Sequence, residues 1–179
     1  MKLTEKRGEK DTRAIRELYE EAFPPEEKKP FALILQKCEE GHVEILSIEG
    51  EDGSFLGLSI FILYGDLALL DYFAITPEMR GKGVGSEALA LLRARHGERR
   101  FLLEIEDADE VGADNREERV RRKAFYLRGG LREMPYRILL FGVQMQVLTG
   151  GAPVSFDEYH ALFPAVFSEK AAQNVRLLG

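Results

Sequence analysis

A chain of 179 residues, 45% hydrophobic and 31% charged, has the balance of an ordinary folded globule and room for one well-buried domain, which excludes a disordered tail. No apolar run reaches the roughly 18–20 residues that cross a bilayer, and the basic start Met1–Arg7 has no apolar stretch behind it, so neither a membrane partner nor a secretory signal is expected. The single cysteine, Cys38, excludes an internal disulfide and a cysteine metal cluster, and the formal net charge of −6 argues against a nucleic-acid partner, so a cytoplasmic protein without a metal is the expectation.

Along the chain, Ile15, Leu18, Tyr19, Ala22 and Phe23 recur at helical spacing over 12–23, and Pro24-Pro25 ends that helix by removing donors and clashing with the preceding turn. A second helix follows Pro30, with Phe31, Ile34, Leu35 and Cys38 in step up to Gly41, so Cys38 reads as core. The period then changes. Val43–Glu49, Phe55–Leu63 and Leu67–Ile75 are rich in branched and aromatic residues and are separated by Gly50–Gly53 and Gly65-Asp66, the pattern of three antiparallel strands. A helix is predicted over Ser86–His96, apolar enough to lie on a sheet, followed by a strand over Phe101–Glu106. Beyond the polar loop Asp107–Asn115 come a helix over Glu117–Arg128, ended by Gly129-Gly130, and strands over Leu131–Phe141 and Val143–Thr149. Phe156, Tyr159, His160 and Phe163 are at helical spacing within Phe156–Phe167, which predicts a helical extension. The reading is one α/β domain over 1–150 with an appendage over 151–179.

The informative segment runs from Asp71 to Ser86. An apolar strand enters three alternating glycines, Gly81, Gly83 and Gly85, flanked by Arg80 and Lys82, and passes directly into a helix. N–H groups at a helix start have no intrahelical partner and sit at the positive end of the macrodipole, and glycine lets a phosphate approach them. The pattern predicts an anion site for a pyrophosphate. A P-loop is excluded because Lys82 precedes Gly83 rather than Ser or Thr, and a dinucleotide fingerprint because the glycine spacing is G-x-G-x-G.

Arg80-Gly81-Lys82-Gly83-Val84-Gly85 resembles the acetyl-coenzyme A signature of the GNAT superfamily of N-acetyltransferases, Q/R-x-x-G-x-G/A, which it meets at Arg80, Gly83 and Gly85. The order of elements is also similar once a short first strand near Lys2–Lys6 is included, and the likeness covers roughly 1–150. The resemblance implies an α/β fold of α+β type: a mixed, mostly antiparallel sheet of about six to seven strands, with helices on both faces and a splay near Phe73–Ile75. It implies acetyl-CoA as cofactor, bound by backbone amides from Arg80 through Gly81, Lys82, Gly83, Val84 and Gly85 to Ser86. The pantetheine arm would lie along Phe73, Ala74 and Ile75, where a backbone N–H polarises the acetyl carbonyl.

Ala124–Leu131 resembles the family's F-Y-x-x-x-G-F helix ending, with Leu131 in place of the closing phenylalanine. That makes Tyr126 the acid that protonates the leaving thiolate; the other reading is a half-buried aromatic at a helix end. Many members carry a cofactor-contacting asparagine seven residues before this tyrosine, where this chain has Arg119. Arg119 or Arg122 then becomes a contact for cofactor phosphates, against the plainer reading of a solvated helix face.

An amine of pKa near 10 must lose a proton before it attacks a thioester. Glu104, within Leu102–Glu106, is the first candidate base because desolvation in an apolar strand would make it more basic. Asp71, expected to stand isolated among Leu69, Leu70, Tyr72 and Phe73, is the second, and Glu106 follows. His42, His96 and His160 lack partner spacing for a metal or triad and read as surface or cap residues. The activity implied is acetyl transfer to a primary amine of a small molecule or peptide through a ternary complex. The rival is a non-catalytic CoA-sensing module whose 151–179 appendage, through Phe156, Tyr159, Phe163, Val166 and Phe167, covers the domain or pairs with a second subunit. Glu20, Glu21, Glu26 and Glu27 would suit a cationic acceptor or be plain surface.

Overall fold

Helical spacing gives way at Val43 to a run rich in branched apolar residues, and the chain changes from helices to strands at that residue. A computed structural model of the chain describes residues 1–178; Gly179 and the side chain of Glu26 lie outside the described residues. Among those described are eight strands and seven α-helices in a mixed α/β fold. The contacts divide the chain into two units, Met1–Leu63 with Leu69–Arg95, and Tyr64–Ala68 with the chain from His96 onward. They do not divide it at Gly150, and the extension belongs to the second unit.

The first unit holds β1 (Lys2–Glu5), α1 (Gly8–Asp11), α2 (Arg13–Ala22), α3 (Phe31–Glu39), β2 (Val43–Glu49), most of β3 (Phe55–Tyr64) and β4 (Leu67–Ile75), and α4 (Val84–Arg95). β1 pairs antiparallel with β2, and β2 with β3, placing Leu3 opposite Ile48 and Ile48 opposite Gly57. α2 buries Ile15, Leu18 and Tyr19, and α3 buries Phe31, Ile34 and Cys38, the faces that the periodicity predicts. Burial pushes the Cys38 thiol's pKa up, which makes it inert core. Val84 and Ala88 of α4 share a cluster with Ile48 and Leu56, with Phe73, Ile75 and Met79 packed against it. At about 1.5–3 kcal/mol for each large apolar side chain fully buried, this packing fixes where α4 begins relative to the end of β4.

The second unit holds β5 (Arg100–Glu106), α5 (Arg116–Arg128), β6 (Arg132–Leu140), β7 (Val143–Thr149), α6 (Phe156–Val166), α7 (Glu169–Ala172) and β8 (Val175–Leu178). Its strands run in the order β5-β7-β6-β8, each neighbour antiparallel. Glu104 lies opposite Val147 and Ile138 opposite Met145. The β6–β7 ladder slips between Glu133 and Arg137, around Pro135, which has no N–H to give it. Phe141 and Gly142 turn the hairpin with φ of 48° and 89°, so a phenylalanine occupies the left-handed region.

β8 is not foreshadowed by any alternation in the sequence and takes the strand count past the expected six to seven. The helix of the extension is capped by a reciprocal pair, Ser155 accepting from the Glu158 N–H while the Glu158 carboxylate accepts from the Ser155 N–H. Tyr159, Leu162, Phe163 and Val166 are buried within the chain itself. Among the described residues no helix is long and apolar enough to cross a membrane.

Candidate active site

β4 leads through Thr76 and a short 3-10 turn, Pro77–Met79, into Arg80, and α4 starts at Val84 rather than Ser86. Gly81 and Gly83 have φ of 74° and 84°, conformations that any residue with a Cβ adopts only under strain. The first ladder bonds of the helix run from Ser86 and Glu87 N–H to the Gly83 carbonyl at 3.0 and 3.2 Å. The N–H groups of Gly81, Lys82, Gly83, Val84 and Gly85 form no well-made bond to a protein acceptor among the described residues. Lys82 and Ser86 are exposed, and Arg80 is held across the turn by its Nε donating to the Ile75 carbonyl at 3.0 Å. Unspent donors, two cations and a helix N-terminus suit the pyrophosphate of a nucleotide cofactor.

At the end of β4, Ala74 is buried and Phe73 and Ile75 are half-buried. A Cβ on Gly57 would lie 2.4 Å from the Ala74 carbonyl oxygen, so glycine is what lets β3 run this close to the strand end. Asp71 is not isolated as its sequence neighbours suggest. Lys29 Nζ donates to both carboxylate oxygens at 2.8 Å. The Tyr72 hydroxyl accepts from the Lys29 N–H at 3.0 Å and donates to the Glu27 carbonyl at 2.8 Å, tying the Pro24–Pro30 segment to β4. Nothing in the sequence pattern flags this pairing, because it joins residues far apart in the chain. On α2 and the segment after it, Glu20 is paired with Lys28 at 2.5 Å and Glu21 is exposed.

In the second unit, Glu104 is half-buried and accepts from the Tyr159 hydroxyl at 2.5 Å. Tyr136 donates to the Val154 carbonyl at 3.0 Å, and burial, with the nearby charges of Glu104 and Glu158, pushes its pKa up to about 12. Glu106, two residues on, has different surroundings. It accepts from Asn115 at 3.2 Å and from Arg119 and Arg122 at 2.8 and 3.1 Å. Arg119, only 9% exposed, also donates to the Asp107 carbonyl, Asn115 and Glu110. Arg122 reaches Glu118 as well, at 2.8 Å. The helix face carrying Arg119 and Arg122 is therefore not uniformly solvated, since Arg119 is folded into a carboxylate network.

Tyr126 lies on the last turns of α5, 9% exposed, with its ring 5.0 Å from that of Phe125. Desolvation pushes its phenol up to about 12, opposed in part by the Arg122 charge, and its hydroxyl makes no hydrogen bond among the described residues. It is a protonated donor at neutral pH. His96 is buried rather than at the surface, and His160 sits 3.0 Å from the Ala172 carbonyl. No group of His, Cys, Asp and Glu fit to hold a metal ion is found among the described residues. Sequence reading missed Tyr159 as a partner of Glu104; its helical spacing marked it as apolar face, and only the packing of α6 reveals where its hydroxyl goes.

The family model described as Acetyltransferase (GNAT) family matches residues 12–119. No curated protein matches the chain. Among solved structures, a GNAT-family protein from Bacteroides thetaiotaomicron is similar with a TM-score of 0.76 and 19% identity, covering 96% of this chain and 99% of that one. A spermidine N-acetyltransferase from Vibrio cholerae, solved with CoA and spermine, is similar with a TM-score of 0.61 and 15% identity, covering 82% of this chain and 94% of that one. A GNAT-family protein from Desulfovibrio desulfuricans gives 0.61 and 15% identity, covering 83% and 96%. At such identities these likenesses speak for the fold alone. The family model spans more than half of the chain and includes the glycine loop, and on that ground the chain belongs to the GNAT family of acetyltransferases, acyltransferase enzymes that use acetyl-CoA.

Proposed function

We propose that the protein moves the acetyl group of acetyl-CoA onto a primary amine of a small molecule or peptide, by direct attack within a ternary complex. The observation that carries this reading is the Arg80–Ser86 loop, whose left-handed glycines leave a run of backbone donors unspent beside two cations at a helix start. Acetyl-CoA supplies the thioester carbonyl and the thiolate leaving group; the rest is the work of the chain.

The N–H groups of Gly81 to Gly85, with Arg80, Lys82 and the Ser86 hydroxyl, bind the pyrophosphate. Phe73, Ala74 and Ile75 pair with the pantetheine arm along their backbone, and an N–H at Ala74–Ile75 stabilises the oxyanion. Glu104 takes the proton from the amine. Asp71, already neutralised by Lys29, is the weaker candidate, and Glu106 is saturated by its three donors. Tyr126, held protonated by burial, returns a proton to sulfur. Arg122 retains a cofactor-phosphate role, while Arg119 holds the loop between β5 and α5. The extension acts as part of the catalytic domain, and the buried, reduced Cys38 suits the cytoplasm. Polyamines are the first acceptors to try, since the Vibrio cholerae relative is a spermidine N-acetyltransferase.

The test is a calorimetric titration with acetyl-CoA followed by an amine panel read by thiol release. Saturable binding near one per chain and amine-dependent release support the proposal. Binding without amine-dependent release would instead leave a CoA-sensing module, and no binding would remove the loop assignment.

A further inference from the structure

We propose that Tyr159, supplied by the C-terminal extension, is a positioning residue for Glu104, its hydroxyl fixing one carboxylate oxygen so that the acceptor amine meets the base in a single orientation. This rests on the reading of Glu104 as the base. A glutamate side chain has three rotatable bonds, and a base left to sample them spends much of its time out of line with the proton it must take. Tyr159 is well suited to stop that. It is fully buried, its ring lies 5.2 Å from Phe163 in an edge-on contact, and its hydroxyl comes 2.5 Å from Glu104 Oε1, the length of a charge-assisted bond. A carboxylate oxygen that accepts one bond keeps a further lone pair, and so does its twin, so the contact does not use up the base.

α6 is itself anchored. Its N-cap pair Ser155–Glu158 is locked to Arg100 of β5 by a 2.8 Å ion pair, and Tyr136 of β6 donates to the Val154 carbonyl just ahead of the cap. Titratable groups near Glu104 in this unit include Tyr159 from α6 and Tyr136 from β6, whose phenol also feels the charge of Glu158, itself paired with Arg100. The extension, which lies beyond the residues matched by the family model, then has a catalytic reason to be there.

A bond donated to the charged carboxylate favours that form, so its removal must move the acid limb of the rate profile to higher pH. The experiment measures kcat/KM against pH for the full chain and for Tyr159→Phe, Glu104→Gln and the double variant, with the melting temperature of each. Expected are an acid limb raised by about one unit in Tyr159→Phe, a kcat about tenfold lower below the limb, and an unchanged KM for acetyl-CoA. In the Glu104→Gln background the second change should have no further effect on kcat. A Tyr159→Phe profile that superposes on the wild type, or the same loss in the Glu104→Gln background, overturns the proposal and marks Tyr159 as a tether only. If Tyr159→Phe does not fold, 3-fluorotyrosine at position 159, a more acidic phenol of nearly the same shape, replaces it and should lower the limb; an unmoved limb overturns the proposal. Full kcat in Glu104→Gln removes the base and the proposal together, and no turnover of any amine by the wild type removes the acetyltransfer reading itself, each a separate observation.

Discussion

The glycine loop and the carboxylates of β5 are built from opposite materials. Arg80–Ser86 offers backbone: left-handed glycines, unspent N–H groups and a helix start, all set by residues adjacent in the chain. Glu104 and Glu106 offer side chains whose properties come from residues far away, a phenol 55 positions on for one and the Asn115–Arg119–Arg122 cluster for the other. Two glutamates separated by one residue on the same face of one strand thus have unlike fates. Glu104 accepts a neutral phenol donor, which suits its proposed role as base, whereas Glu106 is clamped by two guanidinium groups. A backbone site tolerates side-chain changes around it, and a side-chain site does not.

The largest effect should come from breaking the backbone site with a charge. Gly83→Glu sets a carboxylate and a strained φ at the proposed pyrophosphate site, so acetyl-CoA affinity should fall by on the order of 100-fold or more by calorimetry. Replacement of Lys82 by Ala should cost far less, and a large loss there would show the side-chain charge, not the backbone, to be the main contributor. Next comes Tyr126→Phe, which should lower kcat by about 100-fold with acetyl-CoA affinity unchanged. Because burial holds that phenol near 12, its protonated form persists through neutral and mildly alkaline pH, and any fall in kcat below about pH 10 must come from another group. A wild-type profile that loses an alkaline limb below pH 10 in Tyr126→Phe would contradict this.

Glu106→Gln sharpens the contrast between the two glutamates. It strips buried Arg119 of one of its carboxylates, and the expected loss is about 3 kcal/mol of stability, seen in denaturant unfolding, rather than a shifted acid limb. The smallest effect belongs to the turn. Phe141→Asn suits the left-handed conformation at φ 48° and should raise stability by about 0.5–1 kcal/mol without touching turnover.

Much of the fold could be read from adjacent residues. Val43–Glu49, Leu67–Ile75 and Val143–Thr149 appear with the bounds that their composition predicts, because dense branched residues between glycine turns leave few alternatives. Helix starts were less legible. α4 begins at Val84, inside the glycine run, because Val84 is buried with Ile48 and Leu56 and packing extends the helix past its propensity. β8 was not legible at all: Val175–Leu178 is four residues without alternation and is a strand only because β6 offers it a partner.

The sequence by itself determined the glycine loop and the buried faces of α2 and α3, since spacing and turn chemistry are local properties of a chain, and the family resemblance with residue chemistry supplied the candidates Tyr126, Glu104 and Asp71. Tertiary structure decided what those candidates are. It gave Asp71 an ammonium, clamped Glu106, buried Arg119 and brought a phenol from the extension onto Glu104. The reason is physical: protonation and orientation of a side chain depend on the charges and donors within a few ångströms of it, and chain order does not fix which residues those are.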